Sequence, residues 1–435
     1  MPKWTLEAWK QQYHSDDLEE SSSDSNQEED ENDEPKEIPT DSVVEQKKKV
    51  HTEVKKETKE YINHMKQNLG ERLNNISPIK NAERDFNKKI ENYKGARKLI
   101  LHAFISPGDI VTMTAALRDL HKTYPDQFVT DVDTNCPAIW ENNPYVTSIP
   151  HRKEGNKIIC DVPDVQVIQM GYPLVHGCND KPYHFIHGYA QNLADKLGLP
   201  HFVMNYYGGD IHISEEEKSW ISQVHEILDF DAPFWIVNAG TKMDYTAKGW
   251  SFQRYQEVVD ALPEVFFVQI GSEEHNHRLL KGKNVINLVG KTDLRQLIRL
   301  VYHSYGVLTG VSLPMHLAAA IEMHPRWKRK TRPCVVIAGG REPSQWEGYP
   351  HHAYLHTCGK LPCCDLGGCW KSRTEPLELE DDPFPKENKS ICKHPVTLPG
   401  GDVIPLCLDM IKTEDVIRQI LEYMNPMWDL TGEEN

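Results

Sequence analysis

The chain has no run of about 18 consecutive apolar residues, so nothing in it reads as a membrane-spanning helix. Its opening residues, MPKWTLEAWK, show no basic flank leading into an apolar stretch. No secretory signal is therefore expected, and the expected compartment is the cytoplasm. Basic charge is in short supply: 49 Lys and Arg stand against 65 Asp and Glu, a net charge of −16. That balance disfavours a nucleic-acid partner, whose grip comes mainly from phosphate neutralisation by Lys and Arg. Hydrophobic residues make up only 39% of the chain, and the shortage is local. Apolar clusters are nearly missing from the first stretch, and the rest reads as an ordinary globular protein.

What is there begins with length. The 435 residues exceed what one core holds, about 250–300, so two domains plus extra segments are expected. Residues 1–45 are rich in Ser, Asp, Glu and Asn, with eleven acidic residues and no basic one from Asp16 to Glu34. They read as a disordered acidic tail, and Trp4, Leu6 and Trp9 as a docking peptide or simply a solvated end. Residues 46–95 turn to Lys, Glu, Asn and Gln with scattered apolar positions, which predicts a polar helical arm, either an oligomerisation element or a spacer.

From residue 96 the texture changes. LILHAFI, then a helical period over IVTMTAALRDLHKTY, then FVTDVD and VQVIQM, predict alternating strands and helices over 96–210. A helix, HGYAQNLADKLGLP, is stopped by Gly198 and Pro200. A second such unit over 211–350 opens with one helix from Glu215 to Leu228. It continues through the strands FWIVNAG, VFFVQIG, YGVLTG and CVVIAGG, with helices between them. Strands alternating with helices of ten or more residues specify parallel sheets with right-handed crossovers. Two units in tandem would set a cleft between the carboxyl ends of two sheets, where open α/β folds take ligands. A Cys-rich segment over 351–410 and a last helix within 411–435 complete the expected layout.

Three segments carry candidate chemistry. In SPGDIVTMTAAL, Gly108 and Asp109 fall on a strand-to-helix turn at the sheet's carboxyl edge. A carboxylate there suits a general base, and it equally suits a helix cap, which capping preferences favour on this motif alone. A helix start is also expected to lower its pKa. In NAGTKMDYTAKGW, Thr241, Lys242 and Lys248 follow a strand end, and the two lysines suit a diphosphate or plain solvent. In TGVSLPMHLAAA, a helix begins near Pro314, and the free N–H groups of Ser312 to His316, Leu313 and Met315 among them, are expected to point at an anion.

Together these segments resemble glycosyltransferase family 9, the heptosyltransferase family. The resemblance covers about 98–424 and rests on GDIVTMTAAL, ENNPYVTSI, NAGT with KGW, NVINLVGKTDLRQLIRLV and GVSLPMHLAAAI. It implies the GT-B fold, two Rossmann-like domains facing a cleft, and an inverting transfer of a sugar from a nucleotide diphosphate without a catalytic metal. Asp109 then takes the role of base, and Lys242 and Lys248 stabilise the diphosphate with the helix start at 312–316. The loop of Gly271, Ser272, Glu273 and Glu274 contacts the nucleoside. The family's usual nucleotide-sugar motif has an acidic residue followed by Gly where this chain reads Thr309-Gly310-Val311-Ser312-Leu313, which leaves the sugar open. ADP-heptose is the implied donor, and the acceptor is a hydroxyl on a glycan, a lipopolysaccharide or a protein. Asp131-Val132-Asp133 imitates the metal-binding Asp-X-Asp of another glycosyltransferase fold, but lies within a predicted strand.

Six of the ten cysteines fall between Cys358 and Cys407, an expected tetrahedral metal site in a reducing compartment. The pattern resembles the finger of bacterial autotransporter heptosyltransferases, which implies a structural iron or zinc. Cys369, Cys392 and Cys407 match three of its ligands, and Cys363 or Cys364 the fourth. A homo-oligomer is a further expectation. Two other readings stand beside the enzyme: a catalytically inactive GT-B protein serving binding or assembly, and, last, a sugar-phosphate epimerase.

Overall fold

The structure is a computed structural model describing residues 95–155, 157–173, 184–200, 202–275, 277–327, 329–376 and 390–425. The expected acidic tail and nearly all of the polar arm lie outside the described residues.

The first unit holds β1 (Arg97–Ala103), α1 (Pro107–Thr123), β2 (Phe128–Thr134), the hairpin β3 (His151–Glu154) and β4 (Lys157–Cys160), β5 (Val165–Gln169) and α2 (Phe185–Leu197). Its sheet runs β2-β1-β5, all parallel. The central strand explains the sequence run: Leu99, Ile100 and Leu101 are all 0% exposed, so both faces of β1 are covered and the pattern is continuous rather than alternating. Gly198 stops α2 with φ +67°, the left-handed cap that glycine adopts without strain.

A linker over 202–213 is pinned to α1 by Arg118, buried with its guanidinium on the carbonyls of Gly208 (2.9 Å) and Tyr206 (2.8 Å) and on Asp119. The single helix expected from Glu215 to Leu228 is instead two, α3 (Glu215–Lys218) and α4 (Gln223–Leu228). Ser222 breaks it: its hydroxyl accepts from the His225 amide at 3.0 Å and starts a fresh helix.

The second unit contains β6 (Phe234–Asn238), α5 (Phe252–Ala261), β7 (Phe266–Gln269), β8 (Val285–Asn287), α6 (Leu294–His303), β9 (Gly306–Gly310), α7 (Leu313–Ala320), β10 (Cys334–Gly339), α8 (Ser344–Glu347) and β11 (His352–His356). Six parallel strands lie in the order β11-β10-β9-β6-β7-β8. The chain moves outward from β6 to β8, then returns through α6 to build β9, β10 and β11 on the other side. The strand order therefore reverses between β6 and β9, where a crevice opens beyond Asn238 and Gly310. Within β6 the period of two divides the faces: Phe234 and Ile236 join one apolar cluster, Trp235 and Val237 another. The first cluster continues into the first unit, because α7 packs along α1.

β11 falls inside the span expected for the Cys-rich segment, yet pairs in parallel with β10 as the last strand of the large sheet. The finger proper follows it and ends in the short ribbon β12 (Pro395–Thr397) and β13 (Val403–Pro405) and the turn α9 (Leu406–Asp409). The last helix, α10 (Thr413–Tyr423), packs through Val416 and Ile420 against α5 and β10, so it closes the outer face of the second sheet.

Candidate active site

A cleft of about 980 Å³ lies where the carboxyl ends of β1, β6, β7 and β9 converge. Of the residues singled out in the sequence, Gly108, Asp109, Thr241, Lys242, Lys248, Gly271, Glu273, Ser312, Leu313, Pro314 and His316 all line it, as do Ser272 and Glu274. Met315 does not. It is 0% exposed and packs in the core, because the helical turn that aims His316 at the cleft aims its neighbour away.

Two helix starts meet at this cleft. α1 begins at Pro107, and α7 carries Pro314 in its first turn, each preset for a helix by proline's fixed φ. Gly108 lets them touch: a Cβ there would lie 2.7 Å from His316 Cδ2. The amides expected at the start of α7 are fewer than the sequence suggested. Pro314 has none, and that of Met315 is spent on the Ser312 carbonyl at 3.0 Å, leaving those of Ser312 and Leu313 without a hydrogen bond to a described residue. The Ser312 hydroxyl stands 3.0 Å from Thr309 Oγ1 and accepts from Asn238 Nδ2 at 3.3 Å.

The electrostatics overturn one expectation. Asp109 does not have its pKa lowered by the helix start; burial pushes it from 3.8 up to about 7. Lys248 pulls it down and Glu342 pushes it up, and burial outweighs both. Glu342 is buried on the loop after β10, next to the cleft residue Lys248. Burial raises its pKa, but the charges of Arg341 and Lys248 outweigh that and hold it below the ordinary carboxylate range. Lys248 is thus already engaged, 2.9 Å from Glu342 and donating to the Val311 carbonyl at 3.2 Å. His316 is buried and neutral, its pKa pushed down to about 3 by burial and by the nearby cations. Its Nδ1 lies 2.8 Å from the Tyr349 hydroxyl.

Sequence reasoning passed over several lining residues. His277 packs its ring on Gly240 and Gly271, where any added Cβ would come within 2.1 Å, and both its ring nitrogens are buried without a partner among the described residues. The two glycines at strand ends were the available signal for that close approach. Glu347 also lines the cleft, and nothing in EPSQWEGYP marks it. The Asp-X-Asp imitation takes no part: Asp131 accepts from the amides of Val132 and Ile149, and Asp133 pairs with Lys153 and His102, all on the first unit.

The cysteines gather behind this site. Cys363, Cys369, Cys392 and Cys407 line one small hollow with Arg341, Lys371 and His394. Cys364 does not line that hollow, and its thiol donates to the Leu361 carbonyl at 3.4 Å. Burial, then neighbouring thiols, push Cys363 up to about 11 and Cys407 up to about 12. Among the described residues no group of three or more His, Cys, Asp or Glu side chains is arranged to hold a metal ion. The finger is tied to the lysine loop: the Ala247 amide donates to the Ser372 carbonyl at 2.9 Å, and Thr374 Oγ1 donates to Thr246 Oγ1 at 3.1 Å.

Two α/β units sharing one cleft at their strand ends make this a protein of the GT-B class. The chain resembles glycosyltransferase family 9 (heptosyltransferase), whose family model matches residues 175–325. No curated protein matches it. Among solved structures, a family 9 glycosyl transferase from Veillonella parvula is 16% identical, with a TM-score of 0.47 over 75% of this chain and 97% of that one. The ADP-heptose LPS heptosyltransferase II of E. coli is 14% identical, with a TM-score of 0.43 over 78% and 100%. A bacterial iron-containing dodecameric glycosyltransferase from enterotoxigenic E. coli is 13% identical, with a TM-score of 0.47 over 76% and 77%. No described helix is long and apolar enough to cross a membrane.

Proposed function

We propose that this protein is an inverting glycosyltransferase that moves a heptose or related sugar from a nucleotide-diphosphate sugar, ADP-heptose foremost, to an acceptor hydroxyl. The observation that carries this reading is the meeting of two helix starts at one cleft, one bearing Asp109 and the other the free amides of Ser312 and Leu313. The amides and Lys242 hold the diphosphate, since a helix start concentrates partial positive charge. The acceptor oxygen attacks the anomeric carbon from the face opposite the diphosphate. The bond to the phosphate oxygen breaks, the nucleoside diphosphate leaves with the electron pair, and Asp109 takes the hydroxyl proton. A base with a pKa of about 7 is well matched to this work at neutral pH. The reaction calls for no metal in the cleft. Incubating the protein with ADP-heptose and other nucleotide sugars tests the reading through release of nucleoside diphosphate. No release with any acceptor offered (glycan, lipopolysaccharide or protein) defeats it.

One observation favours the second reading, a binding or assembly protein without catalysis. Lys248 is already paired with Glu342, so the negative charge of Glu342 uses up a cation that a diphosphate would need. Nucleotide-sugar binding without turnover would select it.

The finger belongs to the same proposal as a structural element. Four thiols on one hollow are the donor chemistry that soft or borderline cations such as iron and zinc take, with Cys363 rather than Cys364 as the fourth donor. Ligation would need the thiols to draw together and lose their protons.

A further inference from the structure

The buried group that the proposed reaction leaves unused is Glu347. It ends α8, is 6% exposed, and opens on the same cleft as Asp109. Its carboxyl has no hydrogen bond to any described residue, and its one ion-pair contact among them is with His316 Nε2 at 3.8 Å. Its position is held firmly from both sides. Trp346, 1% exposed, packs on Trp370 with ring centroids 3.6 Å apart and on Phe185 at 4.4 Å. Tyr349, 5% exposed, is fixed by the His316 ring. A rigid, largely buried carboxyl with no hydrogen-bond partner in the described protein, open only to the cleft, leaves its hydrogen bonds to whatever fills that cleft.

The groups facing it narrow what that something is. From α1 comes Asp109, from α7 the neutral His316, from the loop after β10 the ion pair of Glu342 and Arg341, and from the loop after β6 Lys248. Burial first, then Glu342 and Asp109, push Glu347 well above the ordinary carboxylate range, with Lys248 and Arg341 opposing. The charge held on Glu342 beside it disfavours a further anion there, and so the diphosphate as its ligand. A neutral carboxyl offers one donor and one free acceptor, the pair that neighbouring hydroxyls on a sugar ring take up together.

We propose that Glu347 is a substrate-contacting residue that hydrogen-bonds hydroxyls of the transferred sugar, on the inner side of the diphosphate site. This rests on the glycosyltransferase reading above. The sugar then lies between the start of α7 and Asp109, with its anomeric carbon toward the base. Specificity among sugars follows from whether two hydroxyls meet this one carboxyl, because an unmet buried polar group costs more than an absent contact.

Calorimetric titration of the full chain tests this without turnover, using ADP, GDP and UDP, each alone and as its hexose or heptose conjugate, with no acceptor present. In the parent, one conjugate is expected to bind more tightly than its bare nucleoside diphosphate. In Glu347→Ala that advantage should fall by about tenfold or more, the scale of one lost buried hydrogen bond, with the bare nucleotide unaffected. Glu347→Gln keeps a donor and an acceptor in the same volume and should keep most of the advantage. An undiminished advantage in Glu347→Ala overturns the proposal while leaving the glycosyltransferase reading intact. Equal loss of bare-nucleotide binding in both variants, with lowered thermal stability, assigns Glu347 a structural role and also overturns it. A parent that binds none of the nucleotides sinks the underlying reading, and this inference with it.

Discussion

Gly108 and His316 are in van der Waals contact across the two units, so close that a Cβ on Gly108 would stand 2.7 Å from the imidazole Cδ2. The start of α1, with Asp109, is thereby set against the start of α7. Thr112, one turn further along α1, reinforces the match, with its hydroxyl 3.4 Å from the His316 ring.

Gly108→Ala is the direct probe of that contact. The ring is buried and engaged by Tyr349, so the added methyl must push α1 and α7 apart. Overpacking of this kind costs about 1–3 kcal/mol. A thermal unfolding midpoint that falls by several degrees, with at least a tenfold loss of kcat, is expected. Full activity in this variant would show that the two helix starts need not touch.

Asp109→Asn should abolish transfer and stabilise the fold in a pH-dependent way. A carboxyl raised from 3.8 to about 7 on folding helps the fold below its unfolded pKa and loses that contribution as the pH rises through 7. The variant therefore gains on the parent between pH 4 and 7 and holds a constant advantage above it. The cleft leaves Asp109 partly exposed, so the gain is at most about 4 kcal/mol. Unfolding at pH 5 and pH 8 measures it. In the parent, kcat/KM should rise with an apparent pKa near 7.

Glu342→Gln should act in the opposite sense. A carboxyl held below its ordinary range stabilises the fold above its unfolded pKa, and that help fades as pH falls through the lower folded value. Removing its charge leaves Arg341 and Lys248 facing each other, a loss of about 3–5 kcal/mol at neutral pH on the scale of broken buried pairs. Denaturant midpoints at pH 7 and pH 4 check this, with the deficit shrinking at the lower pH.

The thiol hollow predicts unequal cysteines. Serine at Cys363, Cys369, Cys392 or Cys407 should each lower bound iron or zinc and the unfolding temperature, whereas Cys364→Ser should leave metal content unchanged. Metal uptake should strengthen with rising pH, since Cys363 and Cys407 must lose protons from raised values. Elemental analysis of the purified variants, with chelator as a control, decides it.

Much of the architecture was legible because its signals are local. The run Leu99-Ile100-Leu101, the glycine at 198 and the proline at 314 each act within a turn or a strand. The break at Ser222 was missed because the apolar period runs on through it, and only the hydroxyl bond to the His225 amide shows where a helix restarts. Asp109 lies at the helix start that the sequence marks, but its acidity was misjudged, since the sequence does not show the burial that the rest of the fold imposes. Glu347 was invisible for a related reason: its burial is decided by where Trp346 and Tyr349 pack, and a tetrapeptide helix carries no period. Adjacent cysteines at 363 and 364 look alike on paper, yet only Cys363 lines the hollow with the other thiols, while Cys364 donates to the Leu361 carbonyl.

The apolar cluster that passes from the first unit into the second limits how these lobes can move. Beside it, Gly209 lies so close that a Cβ would come 2.6 Å from the Val111 carbonyl and 3.0 Å from Ala320, and Gly208 would come 2.9 Å from the Ala319 carbonyl. A clamshell opening would have to tear that seam and wet it. Small residues along a seam instead permit gliding, one helix slipping past another with its contacts exchanged rather than broken. A slide of α7 along α1 is therefore the motion that this seam would resist least.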